Sequence, residues 1–214
     1  MRCISTDERG NAAIYLIWLI SIVALLFLLV INISNIFVTG VQSSNSAEQA
    51  AIAGTSVIIT ETKKAIEAYD DDPLSIPGRV HHDMKTIEEL VDEKQSDYRS
   101  SGMTDDQAYV KALDTVLLNE INTHPLLKDK IREHFIQEGL NDKIYATVTG
   151  VVQDNHGNQA DTQIILSNQE WRLEVETTIN YTSIADETYI PEIEDKIAGK
   201  GIGPTLDYLR LIYE

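Results

Sequence analysis

The spacing of apolar side chains changes twice along this chain, and each change marks a different kind of element. Residues 12–31 read AAIYLIWLISIVALLFLLVI, apolar on every side except at Tyr15 and Ser21, and the apolar character continues through Ile36, Phe37 and Val38. At about 1.5 Å per residue, roughly 20 such residues cross a hydrocarbon layer of about 30 Å. A helix meets that demand because it satisfies its own backbone N–H and C=O groups where no water is present. Residues 12–38 are therefore expected to form a transmembrane helix, with Tyr15 and Trp18 near its start, where amphipathic rings favour the interface. A fully buried helix of a soluble protein would need a core large on all sides, which the rest of the chain can hardly provide. The run also exceeds the roughly 7–15 residues of a secretory signal core, and no clean A-x-A site follows it. It reads as a retained anchor.

Past residue 38 the periodicity becomes helical and amphipathic. Residues 39–69 are expected to extend the membrane helix, with Val57, Ile58, Ala65 and Ile66 leading to Tyr69. Asp70, Asp71, Asp72 and Pro73 should stop it, since proline disfavours a helical residue before it. Residues 70–142 then read as a helical region. It begins with a loop over 74–83, and Thr86 and Glu89 have capping-box spacing for a short helix towards Tyr98. Thr104 and Gln107 suggest a second box, ahead of Tyr109, Ala112, Leu113, Val116, Leu117 and Ile121 on one helical face. Pro125 suits the first turn of a helix carrying Leu127, Ile131 and Phe135 and ending at Gly139.

Residues 143–214 read with period two, as an antiparallel β region with a C-terminal tail. Strands are expected over 144–148 and 151–152, a turn over 154–158, and a second strand over 162–166. The clearest strand is 171–181, with Trp171, Leu173, Val175, Ile179 and Tyr181 on one face and Arg172, Glu174, Glu176 and Asn180 on the other. The glycine-rich segment 197–204 reads as flexible or turn-forming, and 206–213 as a helix or a strand. The fold class is α+β: a long N-terminal helix running into a helical region, then an antiparallel sheet packed on helices.

Charge sharpens this division. The 214 residues include 43% hydrophobic side chains and have a formal net charge of −17, yet nothing between Arg9 and Glu48 is charged. Arg2 and Arg9 balance Asp7 and Glu8, so the whole net charge lies from residue 48 onward. That acidity argues against nucleic acid and against docking on an anionic lipid surface, both of which call for Lys and Arg. The first basic residue after the apolar run is Lys63, so the positive-inside bias puts residues 1–11 in the cytoplasm and the acidic part outside the cell membrane. The single cysteine, Cys3, falls on the cytoplasmic side, which leaves the exported part without a disulfide.

Two short segments carry a resemblance. Glu8-Arg9-Gly10-Asn11-Ala12-Ala13 before the apolar run and Ser46-Ala47-Glu48-Gln49-Ala50-Ala51-Ile52-Ala53 after it resemble the N-terminal segment of TadE/TadG-like proteins of Tad (Flp) pilus assembly. The resemblance implies a pilin-like, single-pass membrane protein without enzymatic activity, serving a pilus or secretion machine at the cell surface. It also implies prepilin-type processing between Gly10 and Asn11. The chain departs from the pilin pattern at Tyr15, where processed pilins carry Glu at the fifth position after the cut. Other pilin-like or assembly-platform subunits, or further copies of this chain, are the partners the resemblance implies. A membrane-anchored extracellular binding or adhesion module unrelated to pili is the alternative reading.

A row of small residues, Gly40, Ser44, Ala47, Ala51 and Gly54, follows three- and four-residue steps along one helical face and continues below from Asn32 and Asn35. Such a row suits either close helix–helix association or packing against the protein's own domain. No catalytic, cofactor-binding or metal site is assigned. Neither H-E-x-x-H nor G-x-S-x-G occurs, and Gly199-Lys200-Gly201 lacks the phosphate-loop order. His81, His82 and Asp83 could bind a metal, as could the acidic segments 70–72 and 154–161, but each reads better as loop or turn.

Overall fold

The computed structural model describes residues 8–184 and 193–213. Its first element, α1 (Glu8–Asp70), is one unbroken helix of 63 residues. At about 1.5 Å per residue it is about 95 Å long. The expected transmembrane segment and its extension are thus a single rod. It ends where the sequence places the stop, and the Asp72 side chain accepts the Leu74 N–H at 2.9 Å to start a 3-10 turn over Pro73–Ser75.

The stretch read as loop contains one-turn helices: α2 (Ile76–Arg79) and a 3-10 turn over Val80–His82. Asp83 and Met84, with φ of 52° and 67°, then reverse the chain into α3 (Ile87–Ser100). The expected capping box forms, with the Glu89 N–H donating to Thr86 Oγ1 at 3.1 Å and the Thr86 N–H to Glu89 Oε2 at 2.9 Å. Asp70, the last residue of α1, accepts the Ile87 and Glu88 N–H groups at 3.1 Å each and ties the end of one helix to the start of the next. Burial pushes the Asp70 carboxyl above its usual range, against those two N–H bonds.

Helix α4 (Asp105–Thr123) begins at Thr104 as expected, but the Thr104 side chain makes no capping hydrogen bond, so the second box does not close. Helix α5 (Pro125–Gln137) starts at its proline and is followed by Gly139 at φ 59°, a left-handed conformation that glycine adopts without steric cost.

Two expectations for the C-terminal part are corrected. Residues 144–152 are not strands but the body of α6 (Leu140–Asp154). Leu140, Ile144, Val148 and Val152 fall at four-residue steps and are all buried, while Tyr145 and Ala146 between them are exposed. The local alternation of Ile144, Ala146 and Val148 suggested period two, but packing of a four-residue stripe outweighs the modest helix penalty of its β-branched residues. The turn expected over 154–158 is present at Asn155 and His156, but it follows this helix and does not join two strands.

The second correction concerns 197–204, which is not a flexible tail but lies inside β3 (Glu194–Thr205). It pairs antiparallel with β2 (Arg172–Thr182), which in turn pairs with β1 (Gln163–Ser167) in a three-stranded sheet of order β1-β2-β3. The alternation predicted for β2 is present, with Leu173, Val175, Ile179 and Tyr181 buried. Its outer face is polar: the Lys200 ammonium lies 2.7 Å from Glu174 and 3.3 Å from Glu176 across the β2–β3 pairing. The last helix, α7 (Tyr208–Tyr213), resolves the ambiguity over 206–213.

The C-terminal half of α1 is the spine of the core. Ile58, Ala65, Ile66 and Tyr69 on α1 share one cluster with Leu113 and Leu117 of α4, Leu127 and Ile131 of α5, Val148 and Val152 of α6, and Val175 of β2. Tyr208 is buried against α1, its hydroxyl 2.7 Å from Thr62 Oγ1, which itself donates to the Ile58 carbonyl at 2.8 Å. Tyr208 is therefore the donor in that pair, and burial holds its phenol far above its usual pKa. Tyr208→Phe leaves Thr62 without that donor but opens no large cavity. A loss of about 1 kcal/mol is expected, read as a lower urea midpoint.

Candidate functional site

The two halves of α1 present opposite surfaces. From residue 12 to residue 38 the apolar side chains point outward on every side: Trp18 is 70%, Phe27 66% and Phe37 73% exposed. This stretch is long and apolar enough to cross a membrane and is the candidate span. From Ser43 to Tyr69 the same helix is packed into the domain, with Ala47, Ala50, Ala51, Ile58 and Tyr69 buried.

Asn32, inside the candidate span and near its C-terminal end, is tied to the domain. Its Oδ1 accepts the Ile184 N–H at 2.7 Å and its Nδ2 donates to the Ile184 carbonyl at 3.2 Å. The Tyr181 hydroxyl lies 3.3 Å from the same Oδ1. The side-chain amide thus pairs with the chain leaving β2 much as a neighbouring strand would. Asn32→Ala removes both bonds to Ile184. With about 1 kcal/mol lost locally, hydrogen exchange at the Ile184 amide should accelerate roughly five- to tenfold while the core stays protected.

The remaining small residues of the row do not share one fate. Asn35 is half-buried, and a Cβ on Gly40 would touch Ile197 of β3 at an ordinary 3.7 Å. Ser44 is exposed. Ala47 and Ala51 are buried beneath β3, and Gly54 lies where Val148 of α6 and Leu173 of β2 converge. The part of the row from Ala47 to Gly54 therefore packs on the chain's own sheet, which was one of its two readings. The Ser43 hydroxyl, on the same side, donates to the Thr177 carbonyl at 3.3 Å.

The partner surface on β3 is made by glycines. Gly199, Gly201 and Gly203 alternate with Lys200 and Ile202, and all three face α1. A Cβ on Gly199 or Gly201 would fall closer than 3 Å to the α1 backbone at Ser43–Ser44 or Ala47–Glu48. Strand and helix backbones touch because neither has side-chain bulk between them.

Two polar clusters lie deeper along the helical region. Glu61 on α1 is buried, with Lys64 Nζ at 2.9 Å and Lys143 Nζ at 3.1 Å on one oxygen and His134 Nε2 at 3.0 Å on the other. Burial alone would raise its pKa, but the bonds from Lys64, Lys143 and His134 outweigh it and hold the carboxyl at about 2. The second cluster joins His82, from the turn after α2, to Glu120 and His124 at the end of α4. Their donor atoms all lie within 4.8 Å of one another. Of the expected trio His81, His82 and Asp83, His82 takes part; the His81 side chain lies outside the described residues. The four-residue step from Glu120 to His124, which puts both on one helical face, was the overlooked sequence signal.

Gly10 and Asn11 lie in the first turns of α1. Cys3 falls outside the described residues. Comparison with protein-family models, with curated proteins and with solved structures finds no match to this chain.

Proposed function

We propose that this chain is a pilin-like, single-pass membrane component of a Tad-type pilus or secretion assembly, non-enzymatic, with residues 1–11 in the cytoplasm and the acidic domain on the outside. The observation that carries the reading is the form of α1: one helix whose first half is apolar on every side and whose second half is the spine of an α+β domain with a C-terminal antiparallel sheet. Rigid continuity between anchor and domain suits a subunit that must pass laterally from membrane to assembly without a hinge. The Tad-like segments on either side of the apolar run add the choice of system, and the lack of basic side chains between Arg9 and Lys63 adds the orientation.

In this reading α1 meets neighbouring subunits through surface that its own domain leaves free. Ser44 is exposed on that helix, whereas Ala47 is covered. In membranes of the native host, a Ser44→Cys variant in a Cys3→Ser background should form an intermolecular disulfide on mild oxidation, and an Ala47→Cys variant should not. Monomer alone at Ser44 and at exposed positions one and two turns on either side would count against assembly through α1. External protease should remove the domain from cells with a permeable wall; a protected domain would reverse the topology.

A further inference from the structure

We infer that His82, Glu120 and His124 form a binding site for a divalent transition-metal ion, zinc in the first place. The inference is independent of the assembly reading. Glu120 is a buried carboxylate near the C-terminal end of α4, its side chain only 8% exposed. His82 Nε2 lies 3.1 Å and His124 Nε2 3.2 Å from the same oxygen, Glu120 Oε2. Neither approach has hydrogen-bond geometry, and Oε2 is a buried acceptor without a partner. Leaving such an atom unsatisfied costs about 1–3 kcal/mol, more when it is charged. Two imidazole nitrogens and a carboxylate oxygen converging without bonding to one another are arranged as donors to a common centre. The two imidazole–carboxylate separations, 3.1 and 3.2 Å, are close to the roughly 3.3 Å edge of a tetrahedron whose metal–ligand bonds are about 2.0–2.1 Å, and the two histidine donors lie within 4.8 Å of each other.

The surroundings support ligation. His82 and His124 rings stand at 67° with centroids 6.5 Å apart, so their edges and not their faces meet. Gly78 packs directly on the His124 ring: a Cβ there would lie 2.9 Å from Cε1 and 3.0 Å from Nδ1. The absence of a side chain at Gly78 lets the turn after α2 bring His82 against the α4–α5 corner. The Arg79 guanidinium, which lines a small cavity together with His82 and His124, donates to the Asp70 carbonyl and to Ser75 Oγ at 2.7 Å and is not bonded to Glu120. An open cleft lined by Pro77, Gly78, Asn119 and Thr123 leads to the three donors and leaves room for water as a fourth ligand.

Donor chemistry selects the metal. Hard cations such as Ca²⁺ and Mg²⁺ take oxygen ligands, whereas two imidazoles with one carboxylate suit zinc and its borderline neighbours. Binding would clamp the turn between α2 and α3 to the α4–α5 corner, and so would stabilise the native state by mass action.

The test uses the full chain in detergent micelles, stripped with a chelator and then titrated with Zn²⁺ alone against a competing chromophoric chelator. One equivalent should bind and the thermal midpoint should rise. Co²⁺ in place of Zn²⁺ should show ligand-field bands of a four-coordinate site. His82→Ala and His124→Ala should each weaken Zn²⁺ binding at least tenfold and abolish those bands, while His156→Ala leaves both unchanged. His82 sits on a turn with its side chain 32% exposed, so His82→Ala is the decisive variant should replacement of His124 or Glu120 impair folding. No stoichiometric binding to the folded chain, or binding unaltered in folded His82→Ala, would overturn the site.

Discussion

Gly201→Val should detach the third strand from the helix it lies on and lower the thermal midpoint of the folded chain by about 10 °C or more, from a loss of at least about 3 kcal/mol. The reason is which atoms stand in the way. A Cβ at Gly201 would collide with the amide of Glu48 and the carbonyl group of Ala47, all backbone of α1. Overpacking is tolerable where the neighbour is the flexible end of a side chain, which can change rotamer at about 1–3 kcal/mol. Here α1 would have to bend or β3 would have to lift. Either movement breaks the β2–β3 ladder, in which Val175 pairs with Gly201, and exposes Ala47, Ala51 and Val175. Gly150→Ala on the outer side of α6 is the matched control, because its Cβ would meet nothing within 4 Å. That change should stabilise by about 0.5–1 kcal/mol, since alanine loses less backbone freedom than glycine in a helix. Circular-dichroism melts of the two variants in the same detergent compare them directly, and a Gly201→Val midpoint within a few degrees of the parent would mean that the strand does not rest on the helix.

The same glycines explain why β3 was not legible from the chain alone. A strand is recognised by alternating apolar and polar side chains, and in β2 that alternation is plain because Leu173, Val175, Ile179 and Tyr181 all need burial. In β3 the buried face carries Gly199, Gly201 and Gly203, so the period of two is present but written in residues that ordinarily signal turns. The information was held by the complementary surface, the small residues Ser43, Ala47 and Ala51 on α1, more than a hundred residues earlier in the chain. Helix α6 misled for the converse reason. Its Val148, Val151 and Val152 favour strands by propensity, and only the tertiary partners Gly54 and Leu173 reveal that Ile144 and Val148 must lie on one helical face. Elements specified by local chemistry were readable: the α1 stop at Asp72 and Pro73, the Thr86 capping box, the Pro125 start and the Gly139 end. The histidine cluster lay between these cases. Its Glu120 and His124 pair has a helical step visible in the sequence, but the third member comes from a turn whose position depends on how α2 folds back.

Acid should remove a specific contribution from the domain, and Glu61 is where the loss should be measured. Its folded pKa is about 2, below the ordinary 4.5. A carboxyl depressed in the folded state stabilises it fully above the unfolded pKa, and that stabilisation is lost as pH falls from about 4.5 towards about 2. The depression comes from three bonds, one within α1 from Lys64 and two that join α1 to α5 and α6 from His134 and Lys143: burial opposes ionisation, while these three favour it strongly enough to win. Lys64 and Lys143 reach solvent, with side-chain exposures of 51% and 37%, so screening reduces the contribution to about 1–3 kcal/mol. Asp70 and Asp114 have carboxyls raised by burial and act in the opposite direction, so the raw pH profile of stability mixes signs. Comparing the parent with Glu61→Gln cancels them. At pH 7 the variant should be less stable by about 1–3 kcal/mol, and the difference should shrink steadily below pH 4.5 and vanish towards pH 2. Urea midpoints for both proteins across that range measure it, and a difference that stays constant with pH would mean that packing, and not ionisation, makes Glu61 important. Raised salt gives a second reading at pH 7: the buried His134 bond should resist screening, while the two lysine bonds weaken, so part of the difference should survive.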